Sequence, residues 1–554
     1  MEWRSFNFKK WVVRFVMMSM GFFTMICVLG AESVKKSPGP TPELFDRGRV
    51  IYEKQCAVCH GADGAGDGEA AYLLYPKPRD FTQNKFRLVS TKNMKATDED
   101  LFSSISRGMP GSSMPSWEHL SENDRWGLVY YVRYLAEKKS SSGEEGVLSG
   151  IETETIPWDD LIKMLSSEPN PKSSIQVTEE PQITPEGIEK GKELFAMACA
   201  DCHGKEGKGD AVQKMTDSSG YAIRPRDLTT GVFMRNDSSK ELYWRIIGGL
   251  PGTPMPSYYE VFTEEELWNL IHYTQTLSPP NSHNRQRLFR KEIPVQEVQN
   301  VLEKDPLAQQ WMGQTPIHIT MAPLWRTAEQ IESIDVRVLR NDKQVGIHMT
   351  WKDDTLNDSL VKTQSFSDGV ALQFSNEEDP PTFTMGSKDS PVTIWHWKAA
   401  WQKDLNQRED IEDEYPNAAV DWYESETTYE HGTPFELSQS KTELHATEYL
   451  TGHKAGNPLS DPKRKTAVEI ARAKGFGTLT PMNLKKENVL VKGSWKDGVW
   501  HVVFIRDLKS GEGVEFSPQK KLSIAFAAWD GEEKDRNGQK VVSSWNRLLL
   551  MNSK

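Results

Sequence analysis

The sequence is poor in cysteine, with five in 554 residues. Cys27 lies in an apolar stretch near the N-terminus. The other four form Cys56-Ala-Val-Cys59-His60 and Cys199-Ala-Asp-Cys202-His203. None is left over for a structural disulfide, so the fold must be held by its cores. Positive charge is not in excess either. A formal net charge of −12 argues against a nucleic-acid partner and leaves the surface to set solubility and the choice of protein partner. Beyond residue 30 no apolar run is long enough to span a membrane. Paired catalytic carboxylates, a nucleophile with its base and a glycine-rich phosphate loop are also missing. Chemistry on a substrate is therefore not expected of this polypeptide.

What is present begins with a leader-like segment. Arg4, Lys9, Lys10 and Arg14 precede an apolar run from Phe15 to Gly30, then Ala31 and a polar, Pro-rich stretch. This pattern predicts a signal segment over residues 1–31 and export to the periplasm or an equivalent compartment. No A-x-A site follows, so an uncleaved anchor with peripheral membrane association is the alternative. The length calls for about three or four domains.

Two stretches, Gly48–Leu135 and Gly191–Leu277, repeat one order: helix, C-x-x-C-H, Gly-rich loop, P-R-D, G-x-P-G-x-x-M-P-S, helix. From His60 to Met114 is 54 residues, and from His203 to Met255 is 52. Such agreement marks a tandem duplication. Thr41-Pro42 and Thr184-Pro185 place a capping residue before a proline at the first helical position. Closing helices are predicted from near Ser121 and Thr263, the latter with Glu266 completing a capping box. Leu128, Tyr131, Val132 and Leu135 form an apolar stripe, as do Leu267, Leu270 and Ile271.

In C-x-x-C-H the two thiols add to haem vinyl groups and the adjacent imidazole reaches the iron. Cys56, Cys59, Cys199 and Cys202 are thus the expected attachment points of two covalent haems c, with His60 and His203 as iron ligands. A zinc site would want further Cys or His nearby, and a redox dithiol would not need the histidine in both copies. Met114 and Met255 occupy matching M-P positions and are the candidates for the sixth ligand. Met109 competes with Met114, but the second repeat has Leu250 there. Arg79 and Arg226, each in a P-R-D, either pair with haem propionates or form surface ion pairs. Both repeats resemble the class I cytochromes c, which implies two all-α, haem-enclosing domains.

After about residue 315 the texture changes to alternation: Ile334, Val336 and Val338, then Val345, Ile347, Met349 and Trp351. Similar runs recur at 370–374, 392–397, 489–491, 500–504 and 522–526, and they predict a mainly antiparallel β-sandwich or barrel. Residues 403–481 read as a polar excursion. His318, His348, His396 and His501 read as ordinary sheet histidines. The segments Phe383-Thr384-Met385-Gly386, Pro391–Ala399, Trp495–Phe504 and Ala528–Lys540 resemble the haem-b-binding γ subunits of the ethylbenzene dehydrogenase and type II dimethyl sulfoxide reductase family. Ala455-Gly456-Asn457-Pro458 and Gly475–Thr480 look most like the nitrite oxidoreductase γ-type subunits. The resemblance implies one non-covalent haem b between Met385 and Lys540. An interior lined by Trp395, Trp397 and Trp529 could keep such a site dry.

The reading is a multidomain chain: signal 1–31, cytochrome c domain 41–138, linker 139–183, cytochrome c domain 184–280, linker 281–315, and β-sandwich haem b domain 316–554. The resemblance implies a non-catalytic electron-transfer subunit. It would relay electrons between iron–sulfur and molybdopterin subunits, nitrite oxidoreductase- or nitrate reductase-like, and a soluble cytochrome or other redox protein. The alternative is a stand-alone exported diheme carrier with a non-haem β recognition domain.

Overall fold

The computed structural model describes residues 36–140, 157–165, 173–210, 214–235, 238–279, 286–326, 330–382, 385–406, 409, 411–417, 465–482, 487–509, 511, 513–517 and 522–550. The expected signal segment, Phe383, Thr384 and Ala455–Pro458 lie outside the described residues.

The first repeat carries helices α1 (Pro42–Gln55), α2 (Ala57–His60), α3 (Asp98–Arg107) and α4 (Glu122–Ser140), followed by α5 (Trp158–Leu165). The second carries α6 (Pro185–Ala198), α7 (Ala200–His203), α8 (Ser239–Gly248) and α9 (Glu264–Thr276). The caps are those the sequence predicts. Thr41 and Thr184 accept hydrogen bonds from the backbone N–H groups of Leu44 and Gly187, and Thr263 and Glu266 close a capping box. The crossing of opening on closing helix depends on glycine. A Cβ at Gly48 would lie 2.0 Å from the carbonyl oxygen of Gly127, and one at Gly191 would lie 2.0 Å from that of Asn269. Any side chain there would push the helices apart. The second repeat also holds a two-stranded hairpin, Met215–Thr216 with Ala222–Ile223, so it is not purely helical.

The repeats meet across buried ion pairs. The Arg235 guanidinium contacts Asp100 of the first repeat and Glu241 of its own, both at 3.1 Å, and Arg87 meets Asp217 at 3.0 Å. Parts of the segments read as linkers pack into this assembly. Leu161 and Leu165 of α5 join the first repeat's core, and Ile175 joins the second's. Residues 292–294 and 296–297 pair with strands of the β region. Their polar composition hid a few apolar anchors, Ile293, Leu302 and Trp311 among them.

The C-terminal region contains eight principal strands among the described residues: β1 (Ser333–Arg340), β2 (Gln344–Lys352), β3 (Gly369–Ser375), β4 (Val392–Lys398), β5 (Val468–Ala473), β6 (Val489–Lys496), β7 (Val499–Asp507) and β8 (Leu522–Trp529). β5, β4, β3 and β8 are successive neighbours in one sheet; β6, β7, β2 and β1 are successive neighbours in the other. Strand β5 falls inside the stretch read as an excursion, because only Val468 and Ile470 interrupt its polar and small residues. Strand alternation sends Val370, Leu372, Phe374, Trp395 and Trp397 to one face. There they share a buried core with Ile347, Met349, Trp351, Val502 and Phe504 of the second sheet. The opposite face of β3, β4 and β8 carries Ala371, Ile394, Ala525 and Trp529 in a separate cluster.

Candidate haem sites

Each C-x-x-C-H forms one tight helical turn. The N–H groups of Cys59 and His60 donate to the Cys56 carbonyl at 3.1 and 2.9 Å, and those of Cys202 and His203 donate to Cys199 at 3.2 and 2.8 Å. Burial pushes the thiols of Cys56 and Cys59 up to about 12 and that of Cys199 to about 11. Nδ1 of His60 lies 3.0 Å from the Arg79 carbonyl, and Nδ1 of His203 lies 3.0 Å from that of Arg226. A carbonyl can only accept, so Nδ1 carries the proton and Nε2 keeps its lone pair for a metal. Burial lowers the pKa of both imidazoles in the same sense. Sequence reasoning singled out these arginines for their side chains and missed the role of their backbones. The recurrence of P-R-D after each C-x-x-C-H, 19 residues beyond the histidine in one repeat and 23 in the other, was the available signal.

The methionine loops are built alike. The Met109 N–H donates to the Met114 carbonyl at 3.1 Å, and the Leu250 N–H donates to Met255 at 3.2 Å. Ser112 and Thr253 hydroxyls bond the Met109 and Leu250 carbonyls at 2.7 and 2.8 Å. Met109 is thus the structural counterpart of Leu250, and Met114 the counterpart of Met255.

The two P-R-D arginines cross between repeats. A Cβ at Gly111 would lie 2.8 Å from Nη1 of Arg226, and one at Gly252 would lie 3.6 Å from Nη1 of Arg79. Each arginine thus runs from its own repeat's histidine to the other repeat's methionine loop. Arg226 Nη1 is buried without a hydrogen-bond partner. Burial, then neighbouring Arg326, Arg245 and Arg87, lowers the Arg226 pKa to about 9; burial and Arg87 lower that of Arg79 to about 10. Neither guanidinium closes a salt bridge among the described residues, as the surface-ion-pair reading would require. Buried cations short of counter-charge between two haem motifs suit carboxylates such as haem propionates.

In the β region, Met385 packs against the outer cluster of Ala371, Ile394, Ala525 and Trp529. Lys540 brings its ammonium 4.8 Å from the centre of the Trp529 ring, and burial lowers its pKa to about 8. That ammonium forms no hydrogen bond or salt bridge among the described residues, while the Lys540 carbonyl accepts from the Leu324 N–H at 3.0 Å. The expected pairing of Trp529 with Trp395 and Trp397 is corrected: those two face the inner core, and only Trp529 borders Met385 and Lys540. Successive residues of a strand face opposite ways, so Trp395 and Trp397 cannot share a face with Ile394. His396 lies on the outer face, its ring stacked 4.4 Å from that of Trp529, and burial holds it well below the ordinary histidine range. Ala527 joins this face to a further cluster that includes Ala70, Leu74, Val58 and Cys59 of the first repeat. A flat, alanine-rich platform beside an unpaired amine fits a planar macrocycle.

Paired C-x-x-C-H turns with backbone-held imidazoles define a covalent-haem electron-transfer protein. Residues 43–132 match the family model for cytochrome c oxidase, cbb3-type, subunit III; 188–278 match that for cytochrome c; and 299–541 match that for ethylbenzene dehydrogenase. The C-terminal region thus matches an ethylbenzene dehydrogenase-type domain, and the two repeats before it match cytochrome c domains. A Haloferax mediterranei protein described as a respiratory nitrate reductase heme subunit is 24% identical over 46% of this chain and 71% of its own. The chlorate reductase gamma subunit of Ideonella dechloratans is 25% identical over 39% of this chain. The dimethylsulfide dehydrogenase gamma subunit of Rhodovulum sulfidophilum is 24% identical over 41%. The chain spans 64% of each of these two, just under two thirds. Among the described residues no helix is long and apolar enough to cross a membrane.

Proposed function

We propose that the chain is the multihaem electron-transfer subunit of an exported oxidoreductase. It would hold two haems c and one haem b, and pass electrons between iron–sulfur and molybdopterin subunits and an external cytochrome or similar protein. The observation that carries this reading is the contact made by Ala527. It links the Met385–Trp529 face to the cluster around Cys59, while the arginines tie the first repeat to the second. Contacts therefore connect the β domain to the first repeat and the first repeat to the second. The gamma and haem subunit names of the relatives support a place in such a complex; a nitrite oxidoreductase or nitrate reductase partner is the finer proposal. The leader-like residues 1–31 support export to the periplasm.

Bound haem supplies reversible one-electron chemistry. The chain's own residues set the conditions. Cys56, Cys59, Cys199 and Cys202 would anchor the covalent haems, and His60 and His203, oriented by the Arg79 and Arg226 carbonyls, would supply iron ligands together with Met114 and Met255. The two guanidiniums would pair with propionates. In the β domain, a sandwich of two mainly antiparallel sheets, Met385 and Lys540 would be the residues to hold a haem b at the alanine-rich face. Lysine must lose its proton to ligate, and its lowered pKa makes that loss easier. The domain boundaries proposed are 41–138, 184–280 and 316–554, the last extended by the strands before residue 298. Pyridine haemochrome analysis of native protein tests the reading. It predicts two haems that stay with denatured polypeptide and one that acid–acetone removes. Two covalent haems with nothing extractable would leave the stand-alone diheme carrier.

A further inference from the structure

Three acidic side chains meet at one end of the two sheets. Asp353 follows β2 in one sheet; Asp368 precedes β3 and Asp530 follows β8 in the other. One carboxylate oxygen of each lies within 4.8 Å of the other two. Asp353 and Asp368 are buried, at 4% and 0% exposure. No ammonium or guanidinium pairs with either among the described residues.

The hydrogen bonds do not account for the cluster. Asp368 accepts from the backbone N–H groups of Gly531 and Asn357, both at 2.9 Å, and from the Trp500 indole at 3.0 Å. That uses three of about four lone-pair sites on a carboxylate. Asp353 Oδ1 accepts from the N–H and hydroxyl of Thr355, at 3.1 and 3.2 Å. Its Oδ2 is buried and has no partner. The Trp351 indole N–H, beside it, is also unpartnered. A bond between those two would satisfy one lone pair and still leave the buried Asp353 and Asp368 crowded against a third carboxylate, with no cation paired to either of the two among the described residues. Burial and mutual repulsion push Asp353 up to about 6 and Asp368 to about 7. Such a group either holds protons or holds a cation.

We infer that Asp353, Asp368 and Asp530 form a calcium site that pins the two sheets together and fixes the turn leading to Lys540. Calcium takes hard oxygen ligands at about 2.3–2.6 Å, so two ligand oxygens across one ion stand at most about 5 Å apart, as these do. Magnesium prefers a tighter octahedron that keeps several waters. The turn from Asp530 to Lys540 is already braced at its start: Asp530 Oδ1 accepts from the N–H groups of Glu532 and Glu533, and its own N–H donates to Asp535. An ion on Asp530 would hold that base against both sheets. The link to Lys540 rests on the haem b reading; the ion site itself does not.

The test uses full-length protein stripped with EGTA. Metal analysis after readdition and desalting should find one calcium per chain. Terbium should bind with luminescence sensitised through the tryptophans, since Trp500 bonds Asp368 directly. At calcium a hundredfold above its Kd the thermal midpoint should rise by about 5–10 °C, and magnesium should not match it. Asp353→Asn should lose the terbium signal, and Asp354→Asn, an exposed neighbour paired with Lys352, should keep it. Wild-type protein that takes up neither calcium nor terbium after stripping would overturn the site, whether or not the variants fold. Calcium binding with unchanged retention of the extractable haem would keep the site and reject its link to Lys540.

Discussion

Nδ1 of His203 lies 3.0 Å from the carbonyl oxygen of Arg226, and the guanidinium of that arginine abuts Gly111 in the other repeat. One residue therefore touches the surroundings of both haem motifs, and Arg79 returns the same contact in the opposite direction. Arg226→Gln should lower the midpoint potentials of both c haems rather than one. Losing a nearby positive charge favours ferric iron, so each potential should fall, by tens of millivolts at an effective dielectric of about 20. Spectroelectrochemical titration reads this; a shift confined to one haem would reject the shared role.

Met114→His and Met255→His should each lower one potential, because imidazole favours ferric iron more than a thioether does. Met109→Leu should leave both unchanged, since Leu250 already fills that place in the second repeat. The same titration decides it. A potential that moves with Met109 and not with Met114 would reassign the ligand.

Lys540→Ala should lose the acid–acetone-extractable haem, or open a coordination position to carbon monoxide, while both covalent haems remain. His396→Ala is the comparison to run beside it. His396 stacks on Trp529 at the same face, and loss of haem in that variant alone would move the ligand from lysine to histidine.

His348, wholly buried in β2, should make the protein acid-sensitive. Burial first, then Arg337 and His501, holds its pKa down at about 3 against an ordinary 6.5. The unfolded chain binds a proton that the folded chain refuses, so stability falls as pH drops below 6.5 and levels off near 3. At pH 5 the loss is about 2 kcal/mol. Comparing urea midpoints of wild type and His348→Leu at pH 7.5 and 5 checks it: the variant should lose less stability on acidification.

Local chemistry was legible in the chain because it is written in adjacent residues. The two C-x-x-C-H turns, the Thr-Pro caps at residues 41 and 184, the Thr263–Glu266 box and the repeat itself depend on spacings of a few residues. So does the alternation of β1 and β2. These features need no knowledge of what packs against them. Sequence alone also brought forward Arg79 and Arg226, though for half of what they do.

Tertiary structure decided which faces meet. Whether a strand residue looks inward or outward depends on which sheet covers it, so Trp529 could be separated from Trp395 and Trp397 only once both sheets were in place. The crossing of Arg226 to Gly111, the contact of Ala527 with the Cys59 cluster, and the convergence of Asp353, Asp368 and Asp530 join residues far apart in sequence. No local pattern encodes such meetings. They follow from chain closure and the burial of apolar surface over the whole fold.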